Sequence, residues 1–286
     1  MMNDILDFIP RIPLAEWTRE FTAWITSTFS FLFNPIKDHF GNFMAFTADI
    51  LGGIPPLVIM LAVAVIAYFL TGRKYGLAAF SFLGLLLIYN QGLWDQLMFT
   101  FTLVLLSSIL SVIIGVPFGI LMSKSKTAEA IITPVLDFMQ TMPAFVYLIP
   151  AVAFFGIGMV PGVFASLIFA TPPTVRFTNL GIRQVPKELV EASDAFGSTG
   201  AQKLFKVELP MAKATIMAGI NQTVMLALSM VVIASMIGAP GLGREVLSAL
   251  QRAQVGPGFV AGIGIVILAI IIDRFTQSVN AQSKKA

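Results

Sequence analysis

The chain has 286 residues, of which 57% are hydrophobic and 12% charged, with a mean hydropathy of +0.86 and a net charge of +3. Soluble domains carry about 25% charged residues, so this composition excludes an ordinary soluble fold. Apolar runs of about 17–25 residues recur, and helices of that length cross a hydrocarbon core of about 30 Å. The short alternating segments of a membrane β-barrel do not occur. We therefore predict an all-α polytopic membrane protein.

The N-terminal region, residues 1–53, is predicted to form an extracellular or interfacial tail. Its acidic start lacks the basic stretch of a cleavable signal peptide. Residues 14–33 set Trp17, Phe21 and Trp24 apart from charges near one end, a pattern typical of an amphipathic helix at a membrane surface. A helix packed against other helices is an equally good alternative.

Seven membrane spans are predicted from hydropathy. They cover approximately residues 54–71, 76–92, 97–122, 131–155, 163–181, 210–236 and 256–275. The first two form an accessory region (54–92), the others form a core (93–275), and residues 276–286 are a C-terminal tail.

Basic residues predict the orientation, because positively charged loops stay in the cytoplasm. Of the 18 basic residues, five lie on one side of the seven-span arrangement and the other 13 share the opposite side. These 13 are Arg73, Lys74, Lys124, Lys126, Arg176, Arg183, Lys187, Lys203, Lys206, Lys213, Arg274, Lys284 and Lys285. The N-terminus is therefore predicted outside and the C-terminus in the cytoplasm.

Two ionisable residues fall inside predicted spans, Asp137 and Arg176. A charge within the membrane is a candidate functional site by default. Both lie toward the cytoplasmic ends of their spans, so a structural ion pair is favoured over a role in transport.

The span over 131–155 contains several prolines, and each removes a backbone donor and bends a helix. A freed carbonyl is tolerated in a membrane where protein or a watery cavity satisfies it. This span is therefore a candidate for lining a pathway, with a purely structural kink as the alternative. The residues proposed to line it are Met142, Pro143, Phe145, Tyr147 and Pro150.

Several chemistries are missing from the sequence. The chain has no cysteine and one histidine, His39, so no metal site is predicted. No GxxxxGK[ST] stretch occurs, so the chain does not bind a nucleotide through a P-loop. We predict a non-enzymatic chain without a cofactor of its own and without a nucleic-acid partner.

A mixed-charge segment, EASDAFGSTGAQKLFKVELP at 191–210, separates two apolar runs. Pro186 is suited to open a helix, and Gly197 to end it in the left-handed conformation. Ser198 or Thr199 is then expected to cap a second short helix.

Leu209-Pro210 is predicted to mark the turn into the next span. The result is a helix–turn–helix with an apolar stripe on the cytoplasmic surface, and the stripe is formed by Leu189, Ala192 and Phe196.

This segment resembles the EAA motif of ABC importer permeases. The match consists of Glu191-Ala192-Ser193, three residues, Gly197, nine residues and then Val207-Glu208-Leu209-Pro210. Ser193 stands for the third alanine and Val207 for isoleucine. Residues 138–162, 172–192 and 237–247 are similar to permease subunits of glycine betaine/proline-type compatible-solute importers.

The resemblance implies a type I ABC importer permease core of five helices, preceded by two further spans and the N-terminal amphipathic helix. It also implies a coupling loop, residues 182–209, that docks on an ATPase subunit which binds ATP and Mg. The residues implied in coupling are Glu191, Ala192, Ser193, Gly197, Leu209 and Pro210.

The partners implied are the ATPase subunit, a second copy of the permease, a separate extracellular binding protein and membrane lipid. The implied location of the protein is a cell membrane, and the implied cargo is glycine betaine or a related osmoprotectant. Choline, carnitine or methionine are alternative cargoes, and an ion-coupled carrier or a channel is the alternative from another class.

Overall fold

The computed structural model describes residues 12–73 and 75–283, and no strand occurs in these residues. The chain begins with α1 (Leu14–Thr28), α2 (Ser30–Pro35), a π-helical turn (Ile36–Phe40), α3 (Gly41–Gly53), α4 (Pro56–Leu70) and α5 (Tyr75–Asn90). The core follows with α6 (Trp94–Lys124), α7 (Lys126–Thr141), a 3₁₀ turn (Ala144–Tyr147), α8 (Leu148–Phe155) and α9 (Met159–Arg183).

The remaining elements are α10 (Lys187–Ala195), α11 (Gly200–Lys203), a π-helical turn (Leu204–Glu208), α12 (Leu209–Ser235), α13 (Leu242–Gln251) and α14 (Val255–Ser283). Parts of the predicted tails, residues 1–11 and 284–286, lie outside the described residues, as does Lys74.

The N-terminal helices differ in how they pack. Helix α1 buries none of its residues and leaves Trp17, Phe21 and Trp24 exposed, and its location at a membrane surface stays a prediction. Helix α3 instead buries Met44 and Ala48 and packs on α6 and α9. Residues 41–53 of the predicted tail are therefore packed against the core.

Helix length and composition support several of the predicted spans. Among the described residues, three helices are long and apolar enough to cross a membrane: Trp94–Lys124, Gly200–Ser235 and Val255–Ser278. Two bent pairs meet the same criterion when each is taken as one span, Ser30–Gly53 with Pro56–Leu70 at 93° and Lys126–Thr141 with Ala144–Phe155 at 109°. Helix α5 is apolar but shorter. The count of seven stays a prediction.

The expectation of one kinked span over 131–155 is wrong in its geometry. The chain breaks at Met142-Pro143, where both residues adopt extended backbone conformations, and α7 and α8 form a 109° bend. Pro143 disfavours the α-helical conformation at the residue before it. Pro134 and Pro150, by contrast, lie inside helices.

The centre of the molecule is a close pack of α6, α9 and α12. A Cβ atom added at Gly119 would lie 2.5 Å from Thr178 Cβ and 2.6 Å from Val175 O, and one added at Gly219 would lie 2.5 Å from Phe177 Cβ. Glycines at these positions allow the helix backbones to approach. In contrast, Gly262 on α14 has no neighbour within 4 Å.

Candidate functional site

The coupling loop is a helical hairpin whose ends are closed by backbone hydrogen bonds. Helix α10 follows Pro186, as predicted, and ends at Phe196. The Gly197 N–H donates to Asp194 O at 2.9 Å and the Ser198 N–H to Ser193 O at 3.1 Å, with Gly197 at φ +75°. These two bonds form a Schellman motif, which favours glycine at the left-handed position.

The second helix of the hairpin begins at Thr199. Its hydroxyl accepts from Gln202 N at 3.3 Å, and the Gln202 side chain accepts from Thr199 N at 2.9 Å. This reciprocal arrangement is a capping box. It decides between Ser198 and Thr199, which the sequence left open.

The predicted turn at Leu209-Pro210 does not occur. Helix runs without interruption from Gly200 to Ser235, and the π-helical turn Leu204–Glu208 lies within it. Pro210 is the second residue of α12 and follows directly on this π-helical turn. The hairpin therefore continues directly into a long core helix, so a force on the hairpin acts on α12 without an intervening loop.

An ion pair joins the two arms of the hairpin. Lys203 Nζ lies 2.8 Å and 2.9 Å from the two carboxylate oxygens of Asp194. Part of the mixed-charge pattern is thus explained by a contact within the loop. Ser193 is buried, and its hydroxyl has no hydrogen-bond partner in the described residues.

The outer surface of the hairpin remains uncovered. Glu191, Ala192 and Gly197 are exposed. Leu189 is exposed and Phe196 is 91% exposed, so the predicted apolar stripe points away from the rest of the chain. An apolar stripe beside a free carboxylate on a rigid hairpin is the chemistry of a docking surface.

Charged residues anchor the base of the coupling loop to the core helices. Glu208 has a side chain only 6% exposed and pairs with Lys124 at the end of α6. Arg183, at the end of α9, donates to Glu129 Oε2 at 2.7 Å and to Met122 O at 2.9 Å. Neither anchor was predicted from the sequence, although charges at the ends of apolar helices were visible there.

Asp137 and Arg176 are brought together by the fold. Arg176 Nη2 lies 2.5 Å from Asp137 Oδ1, which links α7 to α9. Both side chains are partly exposed on this chain. The ion pair that the sequence favoured is therefore present as a contact between these two helices.

The proposed pathway-lining residues surround the break between α7 and α8 but are not equivalent. Tyr147 is buried, its hydroxyl donates to Met139 O, and its ring lies 6.1 Å from that of Phe169. Pro143 and Phe145 are exposed, whereas Met142 and Pro150 are partly buried. Only Pro143 and Phe145 present a largely open surface in this conformation.

Polar residues at the middle of α12 form interhelical hydrogen bonds. Asn221 Nδ2 donates to Asp273 Oδ1 on α14 at 3.1 Å. The Thr223 hydroxyl donates to Ala170 O at 2.8 Å and lies 2.8 Å from that of Thr174. Within the part of the chain that the structure describes, no three His, Cys, Asp or Glu residues are placed to hold a metal ion.

These features define a class: a helical membrane protein with a rigid, uncovered hairpin at one end of its core. Residues 111–285 match the family described as the binding-protein-dependent transport system inner membrane component. The chain belongs to this family.

Curated relatives match nearly the whole chain. It is 58% identical over 278 residues to the glycine betaine/carnitine transport permease protein GbuB of Listeria monocytogenes, covering 96% of this chain and 98% of that one. It is 53% identical to the glycine betaine transport system permease protein OpuAB of Bacillus subtilis, covering 98% of each chain. It is 48% identical to the glycine betaine/proline betaine transport system permease protein ProW of Escherichia coli, covering 96% and 77%.

Solved structures support the fold. An inward-facing structure of the MetNI methionine ABC transporter has a TM-score of 0.61 at 20% identity, covering 65% of this chain and 93% of that one. A crystal structure of an amino acid ABC transporter with histidines has a TM-score of 0.57, also at 20% identity, covering 68% and 95%. At this identity the likeness concerns the fold alone.

Proposed function

We propose that the chain is the membrane subunit of an ATP-driven importer and forms the translocation pathway for glycine betaine or a related osmoprotectant. The observation that carries the proposal is the near-complete match, at 58% and 53% identity, to permeases named for glycine betaine transport. Carnitine stands beside glycine betaine in the first of these names, and a choline permease is 34% identical over 60% of this chain. Carnitine and choline are therefore the alternative cargoes to test.

The proposed partners are those that membership of this family implies. An ATPase subunit, holding ATP and Mg, docks on the coupling loop through Glu191, Ala192, Ser193 and Gly197, while Leu209 and Pro210 join the loop to α12. A second copy of the chain completes the pathway, and a separate binding protein delivers the cargo from outside. The N-terminus lies outside and the C-terminus in the cytoplasm. The uncovered apolar stripe on α10 supports the docking step.

A membrane subunit without a nucleotide site changes conformation only if its partner binds its states with different affinity. The hairpin has the properties such a joint needs. Two capped helices and the Asp194–Lys203 pair keep it rigid, and its helix is continuous with α12. A movement of the docked ATPase therefore reaches the core without being absorbed by a flexible loop.

The test is reconstitution of the chain with its ATPase subunit and binding protein in liposomes. Uptake of labelled glycine betaine should require internal ATP, and competition by choline, carnitine and proline should rank the cargoes. Uptake that an ion gradient drives without ATP would overturn the proposal.

Substitutions in the hairpin test the coupling residues. Gly197→Asp and Glu191→Lys should leave the protein folded but weaken its binding to the ATPase subunit by about tenfold or more. A tenfold change corresponds to about 1.4 kcal/mol of binding free energy. Gly92→Asp is the matched control, because Gly92 also has a positive φ, +70°, and no neighbour within 4 Å. Normal cargo-stimulated ATP hydrolysis in both hairpin variants would show the coupling assignment to be wrong.

A further inference from the structure

The exposed faces of two core helices differ in chemistry. On α6 the exposed face is formed by hydrocarbon side chains, including Leu105, Ile109 and Ile113. The exposed face of α12 instead carries an amide, a hydroxyl and thioethers. Its members are Ala218, Gln222, Met225, Ser229 and Met236, which we call the α12 stripe.

The position of Gln222 makes this difference significant. It stands at the midpoint of α12, with thirteen residues of Leu209–Ser235 on each side. No hydrogen bond from its amide is formed to the described residues, whereas the Ser229 hydroxyl is satisfied by its own helix through Met225 O at 3.0 Å. An unpaired amide facing lipid tails is strongly unfavourable, so this face requires water, protein or a polar solute.

A second feature that requires contact with water or protein lies beside the α12 stripe. Met230, the residue after Ser229, packs in one cluster with Tyr147 and Leu148, so the break between α7 and α8 rests on the same part of α12. Phe145, within this break, leaves its ring exposed. A broken helix at membrane depth is tolerated where it lines a water-filled cavity or protein.

We propose that the α12 stripe and Phe145 form one wall of the solute route, with Gln222 and Ser229 contacting the solute. This inference rests on the proposed function and assigns cargo-contacting residues to it. The wall offers an amide that can bond a carboxylate and an aromatic face that can bind a quaternary ammonium. None of these side chains is charged, so the wall fits a small zwitterion without net charge.

The absence of cysteine from the sequence allows a direct test. Single variants Gln222→Cys, Ser229→Cys, Ile109→Cys and Ile113→Cys are made in the complete importer in liposomes. Each is treated with a membrane-impermeant methanethiosulfonate that carries a trimethylammonium group, without nucleotide and again with ATP and vanadate. Labelling of this chain is followed by mass spectrometry, and denatured samples confirm that each thiol is free.

The two α12 cysteines should react at least about tenfold faster than the two α6 cysteines. Apolar surroundings raise the pKa of a thiol, and each rise of one pH unit lowers the fraction of reactive thiolate about tenfold. Glycine betaine should slow the reaction at Gln222→Cys and Ser229→Cys, and labelling should block uptake. Equal rates on the two helices, or no reaction at either α12 position in both nucleotide states, would overturn the inference.

The unlabelled importer separates this inference from the proposed function. ATP-dependent uptake by unlabelled liposomes, combined with unreactive α12 cysteines, would overturn the wall and leave the proposed function standing. Reactive, solute-protected α12 cysteines without ATP-dependent uptake would support the wall and overturn the ATP-driven function.

Discussion

Two regions of the molecule are organised in opposite ways. One is the packed bundle of α6, α9 and α12, and the other is the proposed coupling loop. The bundle brings helix backbones together at glycines, where a single added Cβ would overlap a neighbour. The hairpin holds its shape through caps and one ion pair, and it leaves Phe196 uncovered. The packing of the bundle therefore depends on small side-chain volumes at the helix contacts. The hairpin instead keeps a fixed shape while its surface is left available to another protein.

The strongest way to break this comparison is to enlarge a glycine in the bundle. Gly119→Leu should prevent stable packing of α6 on α9, because the new side chain meets the backbone carbonyl of Val175, which cannot rotate away. Overpacking costs about 1–3 kcal/mol even in cores that adjust. The yield of membrane-inserted protein and its thermal midpoint in detergent measure the effect.

Gly262→Leu is the control for this substitution, since Gly262 has open space around it. It should insert and melt like the unmodified protein. Equal yields and equal thermal midpoints for the two variants would show that the bundle does not depend on a small residue at Gly119.

A smaller effect is expected where the two regions meet. Lys124→Met removes the cation beside Glu208, whose carboxylate is only 6% exposed. Breaking a fully buried pair costs about 3–5 kcal/mol. Because Lys124 is 40% exposed, we expect a loss of about 1–3 kcal/mol, seen as a lower thermal midpoint of the purified protein.

Two further variants sharpen this result. Lys126→Met, two residues away, should be neutral, because Lys126 is exposed and forms no ion pair within residues 12–73 and 75–283. The double exchange Lys124→Glu with Glu208→Lys should recover part of the loss. Failure of the exchange to recover any stability would mean that the pair does not anchor the loop.

The smallest effects concern two hydroxyls within the hairpin and should have opposite signs. Ser193→Ala removes a buried hydroxyl without a partner and should be neutral or stabilise by up to about 1 kcal/mol. Thr199→Ala removes the helix cap and should destabilise by about 1 kcal/mol. Thermal unfolding of the two proteins measures the difference, and equal destabilisation by both would indicate that Ser193 has an unrecognised partner.

Much of the coupling loop could be predicted from its sequence because its structure is local. Pro186 and Gly197 act through their own backbone preferences, and a cap depends on residues three positions apart. The prediction of a turn at Leu209-Pro210 was wrong. A proline can mark a turn, but Pro210 lies within the continuous helix Gly200–Ser235. The choice depended on how α12 packs, which is not local.

The break at Met142-Pro143 shows a similar limit. Three prolines marked the segment as irregular, but their spacing did not indicate which one would interrupt the helix. Tyr147 became part of a cluster with Met230, eighty-three residues later in the chain, and so left the set of exposed candidates. The exposure of Gln222 could not be predicted from the sequence, because it depends on how α12 packs.

The sequence by itself determined the class of protein, the position of the helical hairpin and the residues that close its helices. Hydropathy, proline, glycine and capping residues act over one segment at a time, so a linear reading is sufficient for them. Tertiary structure decided that Glu208 meets Lys124, that Asp137 meets Arg176, and that one face of α12 stays polar and open. These features depend on which helices become neighbours, and that is fixed by close packing between distant parts of the chain.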